Sequence, residues 1–160
     1  MTAIGHVRAP IGAIRGTTSR AQRILFRING TFLVVVGGVQ VVSELLSYYA
    51  GAGIYAPVFR SSPYTIGWVE NHGLALLIGL LFLRVAVSDG RQVWSAFAIA
   101  VHMLLGTANL MFWGSFVHFN LVAMGIAATV AHALFVAAHT ILLFASRARA
   151  SRSNGTDADR

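Results

Sequence analysis

The chain has no cysteine and no lysine, and it carries few charges of either sign. The missing cysteine excludes disulfides, thiolate metal sites and thiol redox chemistry by the chain itself. Charged residues make up 11% of the total and hydrophobic residues 56%, whereas a soluble domain carries about 25% charged residues. Catalytic signatures are missing too. There is no nucleophile elbow, no phosphate-binding loop and no His-Glu-x-x-His zinc motif. Nothing therefore points to a hydrolase, a nucleotidase or a metalloenzyme, and the sequence requires no metal or cofactor.

What is present is apolar length. About 20 apolar residues are needed for a helix to cross a hydrocarbon core of roughly 30 Å. Four segments meet that need: 28–48, 66–83, 93–113 and 121–145. The connections are short, so consecutive helices pack antiparallel. The expected fold is all-α, an integral membrane four-helix bundle of up-down topology. Residues 23–145 form its transmembrane domain. Residues 1–22 and 146–160 read as unstructured tails, being polar, small and without periodicity.

The formal net charge of +7 does not indicate nucleic acid, because the arginines lie at the ends of the apolar segments. Arg8, Arg15, Arg20, Arg23 and Arg27 precede the first, Arg84 and Arg91 flank the second connection, and Arg147, Arg149, Arg152 and Arg160 follow the fourth. With four spans these all fall on one side and only Arg60 on the other, so the positive-inside rule places both termini in the cytoplasm. Arginine as the only basic residue, with abundant Ala, Gly and Val, fits a high-GC bacterium and hence its plasma (inner) membrane. Two rival readings are weaker. A cleaved signal peptide ending near Ala50-Gly51-Ala52 would carry an overlong basic region and Glu44 inside its apolar run. An organellar transit peptide accounts only for the arginine-rich start.

Polar residues recur inside the spans at helical spacing. Gly30, Gly37 and Glu44 stand seven apart, as do Gly125, His132 and His139, while His102, Gly106 and Asn109 follow i, i+4, i+7. Seven residues return to within about 20° of one face, so each helix carries one stripe of small and polar residues. Packing explains such stripes, since small residues permit close approach and polar groups bond across the seam.

The second span begins with Glu70-Asn71-His72 before an apolar and glycine run from Gly73 to Leu83. Glu70 and His72 point about 200° apart on a helix. Glu70 shares a stripe with Gly73, and His72 shares one with Leu76, Gly79 and Leu83. By depth, Glu44, Glu70, His72 and Asn109 fall in the outer half. The expectation is one shared polar pocket there, with Glu44 and Glu70 both in it.

At RILFRINGTFLVVVGGVQ and ENHGLALLIGLLFLR the chain resembles the DoxX-like group of small four-helix membrane proteins. The matching positions are Arg27, Gly30, Phe32, Leu33 and Gly37 in the first span, and Glu70, Gly73, Leu76, Gly79, Leu80 and Arg84 in the second. The resemblance covers only those two spans. It implies a membrane subunit associated with redox or quinone chemistry.

The leading functional expectation is a non-enzymatic membrane subunit or scaffold whose partners are the bilayer and a membrane protein or a second copy. An alternative is a proton or ion relay through Glu44, Glu70, His72, His102, His132 and His139, because relays need titratable groups at several depths. A further alternative is b-haem with His102 and His132 as axial ligands. His132 and His139 cannot share one iron, being about 10.5 Å apart along one helix. A small multidrug exporter is opposed by the one-sided arginine distribution.

Overall fold

A computed structural model describes residues 20–88 and 90–158, which are mostly helical, with no strand among them. Helix α1 spans Arg20–Ala50, the short α2 Ala56–Phe59, α3 Thr65–Val85, α4 Arg91–Met111, the short α5 Trp113–His118 and α6 Val122–Ala158. Four of these, with α6 counted to Ala148, are long and apolar enough to cross a membrane.

Two boundaries depart from the sequence reading. Helix α1 begins at Arg20, inside the segment expected to be an unstructured tail, and α6 runs on to Ala158 instead of ending at residue 145. Residues 147–152 include Ala and Arg, both strong helix formers, and the helix continues through Asn154 and Gly155. The rest of the expected N-terminal tail, residues 1–19, lies outside the described residues. The third span also ends earlier than expected. Helix α4 stops at Met111, and Trp113 opens α5.

The bundle is two antiparallel pairs, α1 with α3 and α4 with α6. The first pair is held by backbone contact. A Cβ placed on Gly30 would lie 2.8 Å from the Gly79 carbonyl oxygen, one on Gly79 would lie 2.7 Å from the Val34 nitrogen, and one on Gly37 would lie 2.7 Å from the His72 oxygen. In lipid there is no hydrophobic drive between helices, so glycines that let backbones touch are a main source of adhesion. The stripe of α3 facing α1 is therefore His72, Leu76, Gly79 and Leu83. The Glu70–Gly73 face points elsewhere, and a Cβ on Gly73 would meet nothing within 4 Å.

The two pairs meet at one end. Phe26, Leu33, Phe82, Val85, Ala86 and Ala98 form a buried cluster from α1, α3, α4 and the turn between them, and Phe26 and Phe82 pack edge to face at 5.4 Å. The α3–α4 turn closes the same end. Its Gly90 sits at φ 80°, a left-handed position that favours glycine. Arg91 is buried and its Nη1 donates to the carbonyls of Val85 (3.3 Å) and Ala86 (2.9 Å), satisfying acceptors at the C-terminus of α3. Large apolar side chains such as Ile28, Leu77, Leu104 and Leu134 stay exposed along all four long helices, as a lipid-facing surface requires.

Replacing Gly79 with Val should push the α1 and α3 backbones apart and cost about 1–3 kcal/mol, read as a lower unfolding midpoint in mixed micelles. Gly73→Ala should leave the midpoint unchanged or slightly raised. Equal effects of the two substitutions would contradict the backbone seam.

Candidate functional site

Away from the packed end the two pairs separate and flank a partly open cavity of ≈ 970 Å³. Helices α1 and α3 supply one wall and α4 and α6 the other, while residues of α2 and α5 cover the end. The lining is largely aromatic and aliphatic, including Phe32, Phe59, Trp68, Phe112, Phe116 and Phe119. Helix α5 is seated by Gly125, where a Cβ would lie 2.7 Å from the Phe116 ring. A few polar side chains interrupt this lining: Gln40, Asn71, His72, Asn109 and His132. An apolar cavity of several hundred Å³ with a few placed polar groups is the usual form of a small-molecule site.

Two hydrogen-bonded clusters support the polar positions. In the first, Glu44 on α1 is buried, and its Oε1 lies 2.6 Å from His72 Nδ1 on α3. The backbone contact at Gly37 brings α3 close enough for that bond. Glu44 Oε2 has no hydrogen-bond partner among the described residues.

The second cluster is a chain of five side chains at the boundary between the pairs. Asn29 on α1 donates from Nδ2 to His139 Nε2 on α6 at 3.0 Å, and accepts at Oδ1 from His102 Nε2 on α4 at 3.0 Å. His102 and His132 face each other through their Nδ1 atoms at 2.9 Å, and His139 Nδ1 lies 3.5 Å from Ser95 Oγ. Asn29, Ser95, His102 and His139 are fully buried. The donors and acceptors form one consistent order. With Asn29 Nδ2 donating, neutral His139 keeps its hydrogen on Nδ1 for Ser95. With His102 Nε2 donating, neutral His102 accepts at Nδ1 from His132, whose Nε2 is left as a lone pair on a residue lining the cavity. Turning the Asn29 amide over reverses every link and satisfies the chain equally.

The sequence-derived positions divide accordingly. Glu44 and His72 come together, as do His102, His132 and His139, and Asn109 lines the cavity with its buried Nδ2 lacking a partner among the described residues. Glu70 does not join them. It is exposed, on the face of α3 turned from α1, so the expected carboxylate pair is absent: the 200° between Glu70 and His72 lets only one face the seam, and the glycines select His72. The haem alternative does not fit either. One iron would hold two axial nitrogens about 4 Å apart with a macrocycle between. Here the facing nitrogens are 2.9 Å apart, and His102 is stacked on Phe135 at 4.8 Å with Nε2 committed to Asn29.

Asn29 and Ser95 escaped the sequence reading. Asn29 opens an Asn-Gly-Thr triplet resembling a glycosylation acceptor. The usable signal was its place three residues after Phe26 and four before Leu33, on the buried face of α1. Comparison with family models, curated proteins and solved structures finds no match.

Asn29→Leu should leave His102 Nε2 and His139 Nε2 without partners and lower stability by about 1–3 kcal/mol, while exposed Thr31→Val should not. A denaturation midpoint in mixed micelles that does not move for Asn29→Leu would mean the chain is not structural.

Proposed function

We propose that the protein is a four-span subunit of a bacterial plasma membrane, with both termini cytoplasmic, that binds a lipid-soluble molecule in the cavity between its two helix pairs. The observation that carries this reading is the cavity itself. It has aromatic walls and a small set of polar groups, two of them held in place by buried partners. A scaffold with no ligand has no need to keep its pairs apart at one end. The one-sided arginines support the orientation, and the cavity then lies in the outer half. The redox or quinone association implied by the resemblance to the DoxX-like group is one instance of such a ligand.

The relay reading is weaker for a specific reason. Asn29 interrupts the imidazole series, and a carboxamide passes a proton only by becoming an imidic acid. Glu70 also lies outside both clusters.

Filling the cavity tests the binding reading. Ala128 lines it from α6, and Ala128→Phe should weaken binding of an environment-sensitive hydrophobic dye by about tenfold or more, a loss of about 1.4 kcal/mol, in lipid nanodiscs, with the elution profile and helical content retained. Unchanged dye binding would reject the cavity as the site. Reporter fusions after Arg91 and after Arg152 should both report cytoplasm, and a periplasmic signal from either would overturn the orientation.

A further inference from the structure

We infer that the molecule held in the cavity is neutral and carries a carbonyl oxygen, which accepts hydrogen bonds from His72 Nε2 and the Gln40 amide on the α1–α3 wall. This rests on reading the cavity as a binding site and adds the chemistry of the ligand's polar group.

Burying net charge is expensive, and Glu44 is buried with His72 as its ion-pair partner, so the electroneutral forms of the pair are the ones to weigh. There are two such forms. Either a carboxylate faces an imidazolium, or a carboxylic acid donates to Nδ1 of a neutral ring. In both, the hydrogen-bonded Nδ1 is committed to Glu44 and Nε2 carries a hydrogen. The ring's free nitrogen is thus a donor whichever form is present. His72 lines the cavity, and its Nε2 has no hydrogen-bond partner among the described residues while not being a buried atom. It is an open donor.

Gln40 adds a second donor to the cavity lining. It lies on α1 between Gly37, which touches the His72 backbone, and Glu44, which holds the His72 ring. Its Nε2 donates only to the thioether of Met124 at 3.6 Å, and Tyr55 Oη donates to the same sulfur at 3.1 Å. Sulfur is a weak acceptor, so a ligand oxygen displaces it readily.

Two donors lining one cavity select an acceptor with two lone pairs and no hydrogen of its own to satisfy. A carbonyl has that form. A carboxylate or phosphate would also accept, but it would bring net negative charge beside buried Glu44. The donors of His72 and Gln40 place the acceptor end of the ligand at α1 and α3, and its apolar body lies among the aromatic rings.

The test uses the full chain in lipid nanodiscs and three probes competing with the bound hydrophobic dye: para-decyl acetophenone, the hydrocarbon of the same shape lacking the oxygen, and decanoate. The ketone should compete about tenfold better than the hydrocarbon, decanoate should compete worse than the ketone, and the carbonyl stretch of the bound ketone should fall below its value in an alkane. His72→Leu should remove both the advantage and the infrared shift, and Gln40→Leu should reduce them. Equal competition by ketone and hydrocarbon with an unshifted stretch would overturn the carbonyl and leave the binding site standing. Tighter binding of decanoate would overturn the requirement for a neutral ligand. If the dye itself does not bind, both this inference and the binding reading fail.

Discussion

The carboxamide of Asn29 makes buried hydrogen bonds to both α4 and α6, and the relation of the two helix pairs depends on it. Lipid offers no hydrophobic gain for bringing one apolar helix to another, so association has to come from close packing and from directed bonds. Within each pair, packing does most of that work. Between the pairs, the phenylalanine cluster and the Asn29–His102–His139 junction share it. Asn29 suits the junction because an amide is donor and acceptor at once. It accepts from one imidazole and donates to another, leaving neither buried nitrogen stranded. A hydroxyl is too short to span both rings, and a carboxylate cannot donate.

The cavity follows from where these contacts stop. Phe26, Phe82 and Ala98 close one end of the bundle, Asn29 sits next to them, and beyond His132 Gln40 and Tyr55 reach Met124 across the cavity. The short helices α2 and α5 then cover an opening that the long helices leave. Polar groups in the lining are held from behind: Glu44 orients His72, and His102 orients His132. Side chains anchored in this way keep their hydrogen-bonding direction in an apolar site, which is what recognition of a small polar group requires.

Much of the architecture was legible in the sequence because apolar length and seven-residue spacing report directly on spans and seams. The burial of Glu44, His102 and His139 follows from those stripes. Glu70 was misjudged because two faces of one helix each carried a glycine, and only interhelical geometry decides whether Gly73 or Gly79 meets α1. Asn29 was hidden by an accidental triplet, and its role requires knowing that His102 and His139 converge on one point. The cavity leaves no sequence signature of its own, since its aromatic lining comes from every element and resembles an ordinary interfacial belt.

The glycine seam of α1 and α3 also orders the birth of the molecule. Gly30, Gly37 and Gly79 lie in two spans that precede α4 and α6 in the chain, and their interlocking needs nothing from α4 or α6. That hairpin is complete while Asn29 still faces acyl chains with its amide bonded to nothing. A bare amide in hydrocarbon is unfavourable, and arrival of the second hairpin with its imidazoles relieves it. Association of the two pairs would then bring the Asn29 amide to His102 and His139.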